Sequence, residues 1–188
     1  MSVNVKPDNG ITELMKAASR GNLNDVEALV SRGVAVNAKD IFGHTALMYA
    51  VRASHPDVIL LLLDYGADLQ ERDLNGRTAA ELAQAKGHAE VVRLLQAAEL
   101  LMAARDGQLA RVHDALAGGA PIDAALNDGW TALMVATVNG HAGIVSALLA
   151  EGADPSFKTS TGWTALMIAT RKGFHEIAAL LKERGAEA

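Results

Sequence analysis

The sequence predicts an all-α protein built as a solenoid of stacked helix pairs, and three observations carry that expectation. A short phrase recurs as Thr45-Ala46-Leu47-Met48, Thr131-Ala132-Leu133-Met134 and Thr164-Ala165-Leu166-Met167, each time after Gly-x and two residues before an alanine. Weaker copies start at Thr12, Thr78 and Ala98, so that positions 12, 45 and 78, and again 98, 131 and 164, lie 33 residues apart. A fixed period of that length marks a repeat array rather than one globular core. Finally, 98 − 12, 131 − 45 and 164 − 78 all equal 86, which describes a duplicated block of three units. Three stacked units are about the minimum that bury a shared core.

Residues 1–10 are polar, contain Pro7 and read as a leader. In the first unit Leu14, Met15, Ala17 and Ala18 have helical spacing, and Gly21-Asn22 stops the helix. Asp25 then opens a second helix near the positive end of its dipole, with Val26, Leu29 and Val30 on one face and Gly33 as a left-handed stop. The second unit has the full pattern. Gly43 turns the chain, Thr45 is placed to cap a short helix, and Leu47, Met48, Ala50 and Val51 form its buried stripe. Pro56 is tolerated in the first turn of the next helix because its missing N–H has no intrahelical partner there. Val58 to Leu63 is apolar nearly all round, which predicts cover on both sides.

The third unit repeats this with Gly76, Thr78, Leu82, Ala83, Gly87-His88 and an apolar run to Leu95. The next unit begins early, at Ala98, and the last two, from Gly129 and Gly162, restore the full pattern. Units three and four leave no residues for a loop: no turn residue occurs between Ala89 and Arg105, and Gln96-Ala97-Ala98-Glu99 are good helix formers. This predicts one continuous helix near residues 88–105, closed by Asp106-Gly107. The alternative is a tight helix–helix turn. The expected organisation is a leader at 1–10, a three-unit block at 11–97 and a second at 98–188.

Gly-x-Thr-Ala-Leu-Met-x-Ala, then Gly-His, then an apolar helix closed by Gly-Ala-Asp, on a period of 33, resembles the ankyrin repeat over about residues 11–188. The resemblance implies antiparallel helix pairs joined by hairpin-like loops on one side and stacked into a curved array with a concave binding surface. The family's Thr-Pro-Leu-His is here Thr-Ala-Leu-Met, so the Thr–His bond cannot form at Met48, Met134 or Met167, and apolar packing must replace it. The Asp that opens the hairpin tip is kept at Asp40 and Asp73 but is Leu126 and Thr159 in the second block, where less regular hairpins are expected.

Composition narrows the function classes. Among 188 residues, 17 Lys and Arg face 22 Asp and Glu for a net charge of −5, with no long run of like charges, so neither nucleic acid nor an anionic membrane is an expected partner. The absence of cysteine excludes disulfides, thiol catalysis and Cys-based zinc sites. There is no apolar signal segment, and the longest apolar run is far too short for a bilayer span, so a cytoplasmic protein is expected. Nucleophile elbow, Gly-rich phosphate loop and HExxH are all missing, and no catalytic residue or cofactor is assigned. His55, His88 and His141 recur once per unit at the start of the closing helices, a structural rather than a metal-binding pattern, and no metal ligand is assigned.

By the resemblance, partner contacts fall at the hairpin tips and the ends of the first helices. In the first block these are Ile41, Phe42, His44, Arg52, Leu74, Asn75, Arg77 and Lys86. The second block offers Asn127, Asp128, Trp130, Val138, Asn139, Ser160, Thr161, Trp163, Arg171 and Lys172. Ile41-Phe42 is unusual because a turn tip normally carries polar residues; packing under the first unit is the competing explanation. Trp130 and Trp163 precede two of the capping threonines, where a rigid aromatic either anchors a partner or packs on its own hairpin. The expected function is therefore a non-enzymatic interaction module for a protein partner, with Arg52, Arg77, Arg171 and Lys172 as rim charges, in a monomer or weak homodimer. The rival is a structural, self-assembling array; a third class, a small-molecule-binding or catalytic array, would need a polar pocket, of which the sequence shows no sign.

Overall fold

The computed structural model describes residues 9–126 and 128–186, so the leader through residue 8 and Asn127 lie outside the described residues. The chain divides between Leu95 and Gln96 into two compact units. In the first, helices α1 (Glu13–Arg20), α3 (Ala46–Ala53) and α5 (Ala79–Lys86) pack side by side, and α2 (Leu23–Ser31) and α4 (Pro56–Asp64) pair with α1 and α3. Helix α6 is Ala89–Arg105. The second unit continues with α7 (Leu109–Ala117), α8 (Ala132–Val138), α9 (Ala142–Ala150), α10 (Ala165–Lys172) and α11 (His175–Glu183), with α8 on α9, α10 on α11 and α8 on α10. No β-sheet forms among the described residues; Leu126 and Trp130 make an isolated antiparallel bridge. None of the described helices is long and apolar enough to cross a membrane.

The recurring threonine starts each first helix as its spacing predicts. Thr45, Thr131 and Thr164 are extended residues whose hydroxyls accept from the backbone N–H of Met48, Met134 and Met167, satisfying one of the orphan donors at the helix start. At Thr78 the cap is reciprocal, with Glu81 accepting from the Thr78 N–H at 2.7 Å. Met48 and Met134 are fully buried in the places where the family places histidine, while Met167 is only half-buried. Buried Leu47, Ile59 and Leu62 continue the core of the first unit, and Leu100, Val112, Leu133, Val145, Leu148, Leu166 and Leu181 that of the second.

Within each unit, three sets of polar contacts tie neighbouring repeats together. At the tips, Ile41 N–H donates to Asn9 O (3.2 Å), Leu74 N–H to Phe42 O (2.9 Å) and Ser160 N–H to Asp128 O (2.8 Å). At the opposite loops, Asp68 N–H donates to Asn37 Oδ1 and Asp154 N–H to Asp123 Oδ1, at 2.9 and 3.0 Å. Between helix starts and preceding helix ends, the Nε2 atoms of His55, His88 and His141 lie 3.0 to 3.3 Å from the carbonyl oxygens of Ser19, Arg52 and Arg105. Each histidine thus spends one ring nitrogen on the fold.

The expected loss of hairpin regularity is corrected at Thr159. Its hydroxyl accepts from Trp163 N–H at 3.1 Å and its own N–H donates to Trp163 O at 2.9 Å, just as the Asp40 carboxylate and N–H serve His44. At Thr159 a hydroxyl thus supplies the acceptor that a carboxylate supplies at Asp40. Over 126–130 the bridge pairs the hairpin ends instead, with Asp128 at φ 55 in the left-handed region.

Helix α6 is continuous through Gln96-Ala97-Ala98-Glu99, where a tight turn was the alternative, and ends at Arg105, followed by a turn with Gly107 at φ 74. On it Val91, Leu95, Ala97, Ala98, Leu100, Ala103 and Ala104 are all buried, so its apolar surface is not confined to one stripe. Within the second unit Gln96 Nε2 donates to Gly118 O at 2.6 Å, and Glu99 accepts from Arg111 Nη2 at 2.7 Å, fixing α7 against it.

Candidate functional site

The first-unit tips and the ends of α3 and α5 enclose a groove of about 600 Å³. Phe42, Leu74 and Asn75 come from two successive tips, and His44 and Arg77 from the residues that precede the capping threonines. Arg52 and Lys86 stand in the last turns of α3 and α5. Buried Leu82 and exposed Ala85 complete the lining. The groove thus assembles seven of the eight first-block positions named from the sequence; Ile41 is exposed but lies outside it. Phe42 and Leu74 are 53% and 76% exposed, which is costly for large apolar side chains unless something covers them.

Behind the groove lies a buried polar cluster. Asp40 Oδ1 accepts from the N–H groups of Phe42 and His44, both at 2.8 Å, while its Oδ2 accepts from Tyr49 Oη at 2.8 Å. Asp73 repeats the arrangement, Oδ1 accepting from Asn75 and Arg77 N–H and Oδ2 from Arg77 Nε (3.0 Å) and Nη2 (2.8 Å). His44 stands between the two carboxyls, Nδ1 3.3 Å from Asp40 and Nε2 3.7 Å from Asp73, with only 12% of its side chain exposed. It contacts Tyr49 edge-on. His44 and Arg77, both expected at the partner surface, are therefore partly consumed by the fold, Arg77 as the counterion of Asp73 rather than a free rim charge.

Burial works to raise the Asp73 pKa, but the hydrogen bonds from Arg77 and the backbone N–H groups outweigh it and hold the carboxyl at about 2, below its ordinary 3.8. Burial also pushes the Tyr49 phenol up to about 12, assisted by its bond to Asp40. A depressed folded-state pKa stabilises the fold above the unfolded value and loses that contribution as pH falls through the folded value. The melting-temperature gap between the wild type and Asp73→Asn is accordingly expected to be open at neutral pH and to close as pH falls from 3.8 to about 2. A gap independent of pH in thermal melts would remove the charge-based account of this tip.

The second unit has a smaller groove of about 530 Å³ lined by Trp163, Leu166, Met167, Thr170, Arg171 and Lys182. Arg171 places its guanidinium 5.1 Å from the Trp163 ring centroid, a cation–π contact that holds both side chains. The other described second-block positions do not join it. Trp130, like Trp163, is half-buried and packs against the core, as does Val138. Asn139 turns its amide back to Val135 O, and the Thr161 hydroxyl bonds that of Thr159. Asp128, Ser160 and Lys172 are exposed.

A family model described as ankyrin repeats (3 copies) matches the chain twice, over residues 14–99 and 100–188. The chain belongs to the ankyrin repeat family. No curated protein matches it significantly. Ankyrin repeats are in general protein–protein interaction modules. In this ankyrin chain the recurring histidines serve inter-repeat bonding, and no group of three potential ligands among the described residues converges on a metal position. Sequence reasoning missed Tyr49, whose hydroxyl reaches the tip carboxylate, and Lys182, which enters the second groove from α11. Tyr49 had a readable signal, since it is a polar aromatic beside a buried stripe. Lys182 had none.

Proposed function

We propose that this ankyrin chain is a non-enzymatic interaction module that acts in the cytoplasm and holds a protein partner through the first-unit groove. The observation that carries the reading is the gathering of Phe42 and Leu74, both largely exposed, into one concavity with Arg52 and Lys86. Apolar anchors ringed by polar and charged groups are the usual anatomy of a protein-binding patch. Trp163 with Arg171 supplies a second anchor on the other unit.

Affinity capture from a native lysate tests this with the wild type, Phe42→Ser/Leu74→Ser and Trp163→Ala, after confirming that all melt alike. Proteins retained by the wild type are expected to be lost from the tip double variant and reduced on Trp163→Ala. Equal capture by all three would refute the assignment.

A further inference from the structure

The formal charge of the chain is −5, yet the ionisable groups lining the first-unit groove are Arg52, Arg77, Lys86 and His44, with no Asp or Glu side chain among them. Asp73 lies behind this wall with its carboxylate committed to Arg77, and Asp40 is committed to Tyr49 and the tip N–H groups. Arg52 and Lys86 are exposed, and neither side chain makes a hydrogen bond or ion pair among the described residues. Two unused cations beside two exposed apolar side chains define what fits.

We propose that the groove takes an acidic, apolar linear segment of a partner protein: an extended stretch that sets carboxylates against Arg52 and Lys86 and an apolar side chain against Phe42 and Leu74. This rests on the reading that the groove binds protein. A wholly apolar segment would strip water from two cations without replacing it, an uncompensated cost. A purely acidic one would leave Phe42 and Leu74 wet. Nucleic acid fits less well, because a phosphate backbone draws its affinity from many cation contacts and this groove has two to give.

Spacing sharpens the pattern. Arg52 and Lys86 occupy the last turns of α3 and α5, which pack as neighbours. Adjacent helix axes lie about 8–10 Å apart, and an extended chain advances roughly 3.3 Å per residue. The two carboxylates therefore belong about three residues apart, with the apolar residue between or beside them. Because both cations are exposed, added salt must weaken the complex.

The test is selection from a displayed library of random linear peptides against the full-length chain at low salt, followed by titration of the best labelled peptide by fluorescence anisotropy. Peptides enriched in paired acidic residues around an apolar one are expected. Arg52→Glu/Lys86→Glu should weaken the best of them about tenfold or more, and Phe42→Ser/Leu74→Ser should weaken it too, with both variants melting like the wild type. Neutral or basic winners, or binding that ignores the charge reversal but is lost on Phe42→Ser/Leu74→Ser, overturn the acidic chemistry while leaving the protein-binding reading in place. Failure to select any peptide, or binding indifferent to both variants, overturns the groove as a site and the proposed function of this unit with it. A single-stranded RNA that outcompetes the selected peptides at the same residues overturns the partner class.

Discussion

Ala98→Pro is expected to destabilise the chain by about 3 kcal/mol or more, because an interior helical proline removes a backbone hydrogen bond and drives its ring into the carbonyl four residues earlier. Ala98 lies within Ala89–Arg105 and is 2% exposed, so neither bending nor solvent relieves the clash. Its helix also holds Gln96 on Gly118 and Glu99 on Arg111, contacts that a kink would misalign. Chemical denaturation of Ala98→Pro beside Ala98→Gly reads the effect directly. The glycine variant should lose only about 1 kcal/mol, the usual entropic cost of glycine in a helix. A proline tolerated at this position would mean that the chain turns there.

Gly43→Ala is expected to cost about 2 kcal/mol or more and to disturb the groove. Gly43 has φ 79, in the left-handed region, where a side chain costs roughly 1–2 kcal/mol. A Cβ at this position would also sit 3.0 Å from Leu74 N and 3.1 Å from Asp73 C and Cα, all backbone atoms that cannot swing aside. That backbone holds the Leu74 N–H to Phe42 O bond and the residues that anchor Arg77. Gly76→Ala is the matched comparison: φ is 76, but nothing lies within 4 Å of the added carbon, so only the conformational cost applies. Thermal melts should rank Gly43→Ala clearly below Gly76→Ala. Equal losses would show that the tips do not need so close an approach.

Those tip contacts mark the limit of what the sequence reveals. Capping by Thr45, Thr131 and Thr164 was legible because a cap involves residues three positions apart and a side chain of known chemistry. The long helix was legible from the lack of any turn residue between Ala89 and Arg105. By contrast, the Leu74–Phe42 and Ser160–Asp128 bonds join backbone atoms about one repeat apart and leave no mark on residue type. The groove positions could be named because the ankyrin resemblance puts partner contacts at the hairpin tips and first-helix ends, which the capping threonine locates in each unit. Their partners could not: the sequence does not say that Arg77 closes on Asp73, that His44 is enclosed by two carboxyls, or that Asn139 folds back on its own helix. These depend on side-chain direction rather than position. Thr159 shows the converse error, a tip judged irregular by residue type that keeps its geometry through a hydroxyl.

The polar cluster behind the groove also explains how exposed apolar tips hold their place. Asp40 and Asp73 each bind two tip N–H groups, fixing the backbone of the loops that carry Phe42 and Leu74. A binding surface arranged before the partner arrives loses less conformational entropy on association. On the proposed reading, stability in these tips bears on affinity, so Gly43→Ala is expected to weaken binding at the groove.

The most direct test of the account is amide hydrogen exchange of the full-length chain with and without its partner, or with the strongest selected peptide. Slowed exchange over residues 41–44 and 74–77, with α2 and α4 unchanged, is the predicted footprint. Protection confined to α2 and α4, leaving both tips exchanging as in the free chain, would contradict it.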